Sequence, residues 1–214
     1  MKPLHGKRGI LRPKRNDSMQ MNIILAGVGG QGILTIAAVI DHAALQSSLT
    51  VRQAEVHGMS QRGGAVQSHL RISDKEIFSD LIAEGTANLI LSVEPLEALR
   101  YLPFLAPDGK IVTATDSFIN MVGYPSMEQI LAELHRTNHP VLVNAAELAR
   151  EAGNVRTSNM VMLGAAAPFI GIAAETLEAS IKKLFQAKGT DIAAMNIRAF
   201  RTGEALSQLQ ATAT

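Results

Sequence analysis

Apolar and polar positions recur along the chain with two periods, and the switches between them mark out its elements. Residues 21–26 form a short apolar run that stops at glycine, as a buried parallel strand does. Ile33–Gln46 then carries Ile33, Ile36, Ala37, Ile40 and Ala44 at helical spacing, which predicts a core-facing helix. Residues 50–54 read as a second strand, followed by a glycine-punctuated loop over 56–64. Across Ala65–Ser73 the period is two. Val66, Ser68, Leu70 and Ile72 share one face, and Gln67, His69 and Arg71 share the other, which predicts a strand with one wet or partner-bound face. Further strands are expected at 88–93, 109–115 and 139–143. Pro95 opens a short helix reaching Tyr101, Ser126 caps one running to His135, and Asn144 caps Ala145–Glu151. From Ser158 onward the pattern is helical, over 158–170, 176–188 and 191–208.

Strands alternating with helices over the first two-thirds imply an α/β fold with three layers. The expected core is a mainly parallel sheet with helices on both faces, a Rossmann-like βαβ start and a helical C-terminal third. A length of 214 residues suits one domain, placed at 21–210. Hydrophobic residues make up 47% of the chain but aromatics only 4%, so Ala, Ile, Leu, Val and Met must fill the core.

Charge sets the first residues apart. Residues 1–20 hold six basic side chains and one acid, Asp17, and are expected to be a disordered basic leader. They lack the apolar run of a secretory signal. The remaining chain has 14 basic and 18 acidic residues, a poor match to nucleic acid. No apolar stretch reaches the roughly 18–20 residues of a membrane span. The absence of cysteine excludes a disulfide, a thiolate zinc site, a cysteine nucleophile and a thiolate-ligated iron–sulfur cluster on this chain. These features fit the cytoplasm.

Two glycine-rich blocks carry the candidate chemistry. Gly27-Val28-Gly29-Gly30-Gln31-Gly32 joins the first strand to the first helix, with Gly27, Gly29 and Gly32 at G-x-G-x-x-G spacing. Glycine permits a tight turn and close backbone approach, and free amides at a helix N-terminus hold anions. Glu55, 23 residues past Gly32, stands where a ribose-binding carboxylate would be. A stand-alone Rossmann-type dinucleotide-binding domain is therefore one reading. The same glycines would equally serve a compact crossover that binds nothing. The second block is Glu55-Val56-His57-Gly58-Met59-Ser60-Gln61-Arg62-Gly63-Gly64. Its glycines allow sharp turns, and Arg62 beside Gly63-Gly64 could grip a carboxylate or phosphate, or stand solvated.

These two blocks and the alternating strand after them resemble the gamma-type domain of pyruvate and 2-oxoacid:ferredoxin oxidoreductases. Glu94-Pro95-Leu96-Glu97-Ala98-Leu99-Arg100-Tyr101-Leu102 resembles the stand-alone beta subunits of the indolepyruvate branch, as do Asn159–Gly164 and Asn196–Phe200, so the likeness spans residues 21–205. The resemblance implies a supporting subunit that is noncatalytic alone. The large alpha subunit would carry thiamine diphosphate, Mg2+ and the iron–sulfur clusters. The complex would oxidatively decarboxylate a 2-oxoacid such as indole-3-pyruvate to its acyl-coenzyme A and pass electrons to ferredoxin. Coenzyme A would be the co-substrate, and the isolated chain could form a homodimer. On this reading Gly27, Gly29, Gly30, Gln31, Gly32, Arg62, Gly63 and Gly64 contact a phosphate, coenzyme A or the partner subunit.

The chain's own residues agree with that division of labour. No Gly-Asp-Gly begins a thiamine diphosphate–magnesium motif, and Asp108-Gly109 after Pro107 reads as a turn. No histidine pair sits four apart on a helix with a carboxylate, so no metal site is expected. Neither is a catalytic residue, for no G-x-S-x-G elbow is present. His57 is the one histidine inside the second block, and Glu94 with Glu97 read as a solvated first helical turn.

Overall fold

The computed structural model describes residues 18–57, 63–119, 122–137 and 139–212. The expected leader lies outside them except for its last three residues. Of these, Met19 packs against the core and Gln20 opens the first strand, so the folded body begins before Met21.

In chain order the strands are β1 (Gln20–Val28), β2 (Thr50–His57), β3 (Ala65–Ser73), β4 (Ala87–Ser92), β5 (Leu105–Ala114) and β6 (Val141–Val143). The helices are α1 (Ile33–Gln46), α2 (Pro95–Arg100), α3 (Met127–Leu134), α4 (Ala145–Glu151), α5 (Ser158–Ala166), α6 (Ala174–Phe185) and α7 (Thr190–Thr212). One six-stranded sheet runs β2-β3-β1-β4-β5-β6. β1, β4, β5 and β6 are mutually parallel, whereas β3 is antiparallel to both β1 and β2. The reversal follows from chain length. Only seven residues, 58–64, join β2 to β3, and a parallel crossover needs about a dozen or more. β3 folds back and wedges between β2 and β1.

Alternation along the central strands serves both faces. Ile23 and Leu25 of β1 pack beneath α1, α4, α5, α6 and α7, while Ile24 and Ala26 pack against α2 and α3. The C-terminal helices thus cover one face as a layer of their own. Met160–Ala166 of α5 are all buried, which is why this helix shows no polar stripe. α5 and α7 cross at glycines. A Cβ on Gly164 would collide with the Phe200 carbonyl, and one on Gly203 with the Val161 carbonyl.

Three local expectations change. The second face of β3 is partly covered, because residues 74–86 fold over it. His69 is 3% exposed, its Nδ1 accepts a 3.0 Å bond from Ile82 N–H, and Phe104 meets its ring edge-on. Arg71 donates to Asn22 Oδ1 at 3.0 Å and to the Ser79 carbonyl at 2.8 Å. Glu94 and Glu97 are buried, not solvated. Glu94 caps α2 by accepting from Glu97 N–H at 2.9 Å and takes the Tyr124 hydroxyl on its other oxygen. Glu97 receives the Arg100 fork at 2.9 and 3.2 Å. Asp108-Gly109 lies inside β5, where the register shifts between Ala87 and Leu89. That irregularity admits Pro107 without ending the strand.

Candidate glycine-rim site

β1 continues through Gly27 and Val28, so the turn itself is Gly29 to Gly32. Gly32 is the N-cap of α1 in the left-handed region at φ 82°, where an L side chain is strained. A Cβ there would also lie 2.6 Å from Asn159 Nδ2. No side chain caps the first turn of α1 and no acid sits in it, so the positive end of this 14-residue helix is turned to the loop. Gln31 closes the turn from within. Its side-chain carbonyl accepts from Val28 N–H at 2.7 Å, and its own N–H donates to Val28 O at 3.1 Å.

The second glycine block meets the first through backbone. Gly29 N–H donates to Gly64 O at 2.9 Å, and Gly63 N–H to Gly29 O at 3.4 Å. The fold therefore brings together Gly27, Gly29, Gly30, Gln31, Gly32, Gly63 and Gly64, whereas Arg62 lies outside the described residues. The junction stands at the C-terminal end of β1. There α1 departs on one face of the sheet and α2, following β4, on the other. Such a switch point is where open α/β sheets take ligands.

Two cavities flank the loop. One of about 280 Å³ is lined by Val28, Gly29, Gly30, Ile33, Leu34 and Val66. The other, about 490 Å³, runs from Gly30, Gln31 and Thr35 across to Arg156, Asn159, Lys188 and Asn196. Asn159 Nδ2 donates to Gly32 O at 3.3 Å, tying α5 to the loop. Arg156, Asn159 and Lys188 were not foreseen from the sequence. The one available signal was the polar Asn159 at the head of an otherwise apolar helix. Arg156 and Lys188 stand in short 3-10 turns with no motif around them.

Glu55 does not reach the loop as a ribose-binding carboxylate would. A dinucleotide fold sets β2 directly beside β1, but here β3 intervenes. Glu55 pairs in register with Ser68, two strand spacings or about 10 Å from β1. Its Oε1 accepts from Gln53 Nε2 at 2.8 Å. Several large apolar side chains are exposed around the same rim: Leu34 at the start of α1, Val56 near the end of β2, and Phe118, Ile119 and Val122 after β5.

Comparison with known proteins places this arrangement. Indolepyruvate oxidoreductase subunit IorB of Archaeoglobus fulgidus is 38% identical over 197 residues, covering 86% of this chain and 94% of that protein. The same subunit of Methanothermobacter thermautotrophicus is 37% identical over 194 residues, covering 86% of this chain and 96% of its own. In fold, the chain is similar to pyruvate oxidoreductase subunit PORC of Thermotoga maritima. That match has a TM-score of 0.67 at 21% identity over 87% of this chain and 96% of the other. It is also similar to 31% of a 2-oxoglutarate:ferredoxin oxidoreductase chain of Magnetococcus marinus solved with 2-oxoglutarate, coenzyme A and succinyl-coenzyme A. There the TM-score is 0.70 at 22% identity over 89% of this chain. The family model for pyruvate ferredoxin/flavodoxin oxidoreductases matches residues 22–206, and the chain belongs to that family.

Proposed function

We propose that this chain is the small subunit of an indolepyruvate-type 2-oxoacid:ferredoxin oxidoreductase, and that it seats its glycine rim on a larger partner chain. The observation that carries this reading is the junction of the two glycine blocks at Gly29 and Gly64, on a rim edged by exposed Leu34, Val56, Phe118, Ile119 and Val122. Apolar side chains gathered on one rim are the mark of a surface covered in an assembly. Two relatives at 38% and 37% identity are indolepyruvate oxidoreductase subunits, which supports that substrate class.

Redox chemistry belongs to the partner on this reading. Without cysteine the chain has no thiolates for a cluster, and thiamine diphosphate with Mg2+ is assigned to the large subunit with the clusters. When bound there, those groups supply decarboxylation and electron transfer to ferredoxin. This chain's residues position and shield. The uncapped start of α1, with Arg156 and Lys188 across the 490 Å³ cavity, suits the phosphates of coenzyme A. Arg62 beside Gly63 would add a fork at the same rim. The displaced Glu55 weighs against a stand-alone dinucleotide-binding domain.

The test is reconstitution with the large subunit, following indole-3-pyruvate-dependent ferredoxin reduction against coenzyme A concentration. Arg62→Ala and Arg156→Ala should each raise the coenzyme A requirement or weaken assembly by about tenfold, the worth of one charge-assisted contact. Wild-type assembly and kinetics in both variants, or tight NAD(H) binding by the lone chain, would sink the proposal.

A further inference from the structure

A third cavity, of about 530 Å³, lies at the opposite end of the sheet from the glycine rim, where β5 and β6 begin. That volume falls within the range of small-molecule sites. Its one formal cation is Lys110 of β5, joined by the imidazoles of His135 and His139 from the turn between α3 and β6. No aspartate or glutamate is among the described residues lining it, so the site selects for negative charge. Phe169, Pro140 and Val141 give it an apolar lining as well.

The cavity is also anchored. Gln210 Nε2 donates to Leu142 O at 3.1 Å, which holds the end of α7 against the open edge of β6. One turn before Gln210, Ser207 lines the same cavity. It is 1% exposed, and its hydroxyl has no hydrogen-bond partner among the described residues. Buried polar groups are otherwise almost always satisfied, so a hydroxyl left over beside a cavity is one that a ligand could satisfy once the Ser207 side chain turns into the opening.

We propose that this cavity binds an aromatic carboxylate, its carboxylate held by Lys110 and Ser207 and its ring against Phe169. A bare inorganic anion would satisfy Lys110 and leave the apolar lining empty. A neutral aromatic would do the reverse and leave Lys110 and the buried Ser207 hydroxyl without a partner. Only a ligand with both parts meets all the groups present. The proposal is independent of the glycine-rim reading, because it concerns the far end of the sheet and needs no partner chain.

Calorimetric and NMR titration of the full-length chain tests it, with phenylacetate, inorganic phosphate and benzyl alcohol as probes. Phenylacetate should saturate in the millimolar range or below and shift the amide signals of Lys110, Val141 and Ser207, with both other probes at least about tenfold weaker. Lys110→Met, which keeps the apolar stem, should weaken phenylacetate about tenfold, and Ser207→Ala about threefold. If Ser207→Ala unfolds, the Lys110→Met result decides. Failure of phenylacetate to saturate, phosphate binding as tight as phenylacetate, or wild-type affinity in Lys110→Met would each overturn the proposal.

Discussion

At the scale of single residues, one half-buried and one buried ionisable group give stability a pH dependence. Asp41 on α1 has its pKa raised to about 6, chiefly by burial and then by the charge of Glu55, and its Oδ1 has no partner among the described residues. The folded state therefore holds this proton more tightly than the unfolded chain. That stability is fully present below about pH 4 and is lost as pH rises through 6. Asp41→Asn should remove the cost, stabilising the protein above pH 7 by about 1 kcal/mol once partial solvent screening is allowed for. Thermal melts at pH 4.5 and 7.5 check this, and an equal gain at both would refute the assignment. His69 works in the other direction. Burial lowers its pKa, and protonation would remove the acceptor of Ile82 N–H. Its contribution is present above the ordinary histidine range and is lost as pH falls. His69→Phe should cost about 1–3 kcal/mol at pH 7 by orphaning that N–H, and should flatten the decline in urea stability between pH 7 and pH 5.

At the scale of elements, the α5–α7 crossing gives the sharpest contrast between local and tertiary rules. Gly203 lies inside a 23-residue helix, where alanine is favoured by about 1 kcal/mol on propensity alone. Yet a Cβ at Gly203 would collide with the Val161 carbonyl. Backbone cannot move aside as a side-chain tip can, so packing decides the sign. Gly203→Ala should destabilise by about 1–3 kcal/mol, lowering Tm by several degrees. A higher Tm would mean the crossing is looser than it stands. Element existence was readable from periodicity almost throughout, because a strand or helix face is a local pattern. The partly covered face of β3 was not, since Gln67, His69 and Arg71 spell the same alternation whether water or residues 74–86 lie above them.

At the scale of the whole molecule, the two ends of the sheet divide the work. The C-terminal rim carries the glycine junction with exposed Leu34, Val56, Phe118, Ile119 and Val122, and the far end carries the cavity between β6 and α7. If the rim is the seat of the large subunit, Phe118→Ser with Val122→Ser should weaken assembly about tenfold or more, as loss of interface anchors does. The melting of the isolated chain should stay within about 1 °C, because both side chains are exposed. Analytical ultracentrifugation of the mixed subunits measures the first effect and calorimetry the second. Unchanged assembly would move the docking face elsewhere.

The sequence by itself determined the kinds of element, the two glycine blocks, and the lack of any thiolate to hold a cluster. Each of these is a property of neighbouring residues or of composition. Tertiary structure alone decided which strand lies beside which. Hydrogen-bonding ladders carry no local address, and the short β2–β3 link inserted β3 next to β1. That single insertion took Glu55 away from the loop and gave Gly29 a backbone partner in Gly64. It was also folding, not motif, that brought Arg156 and Lys188 to a loop more than a hundred residues earlier in the chain.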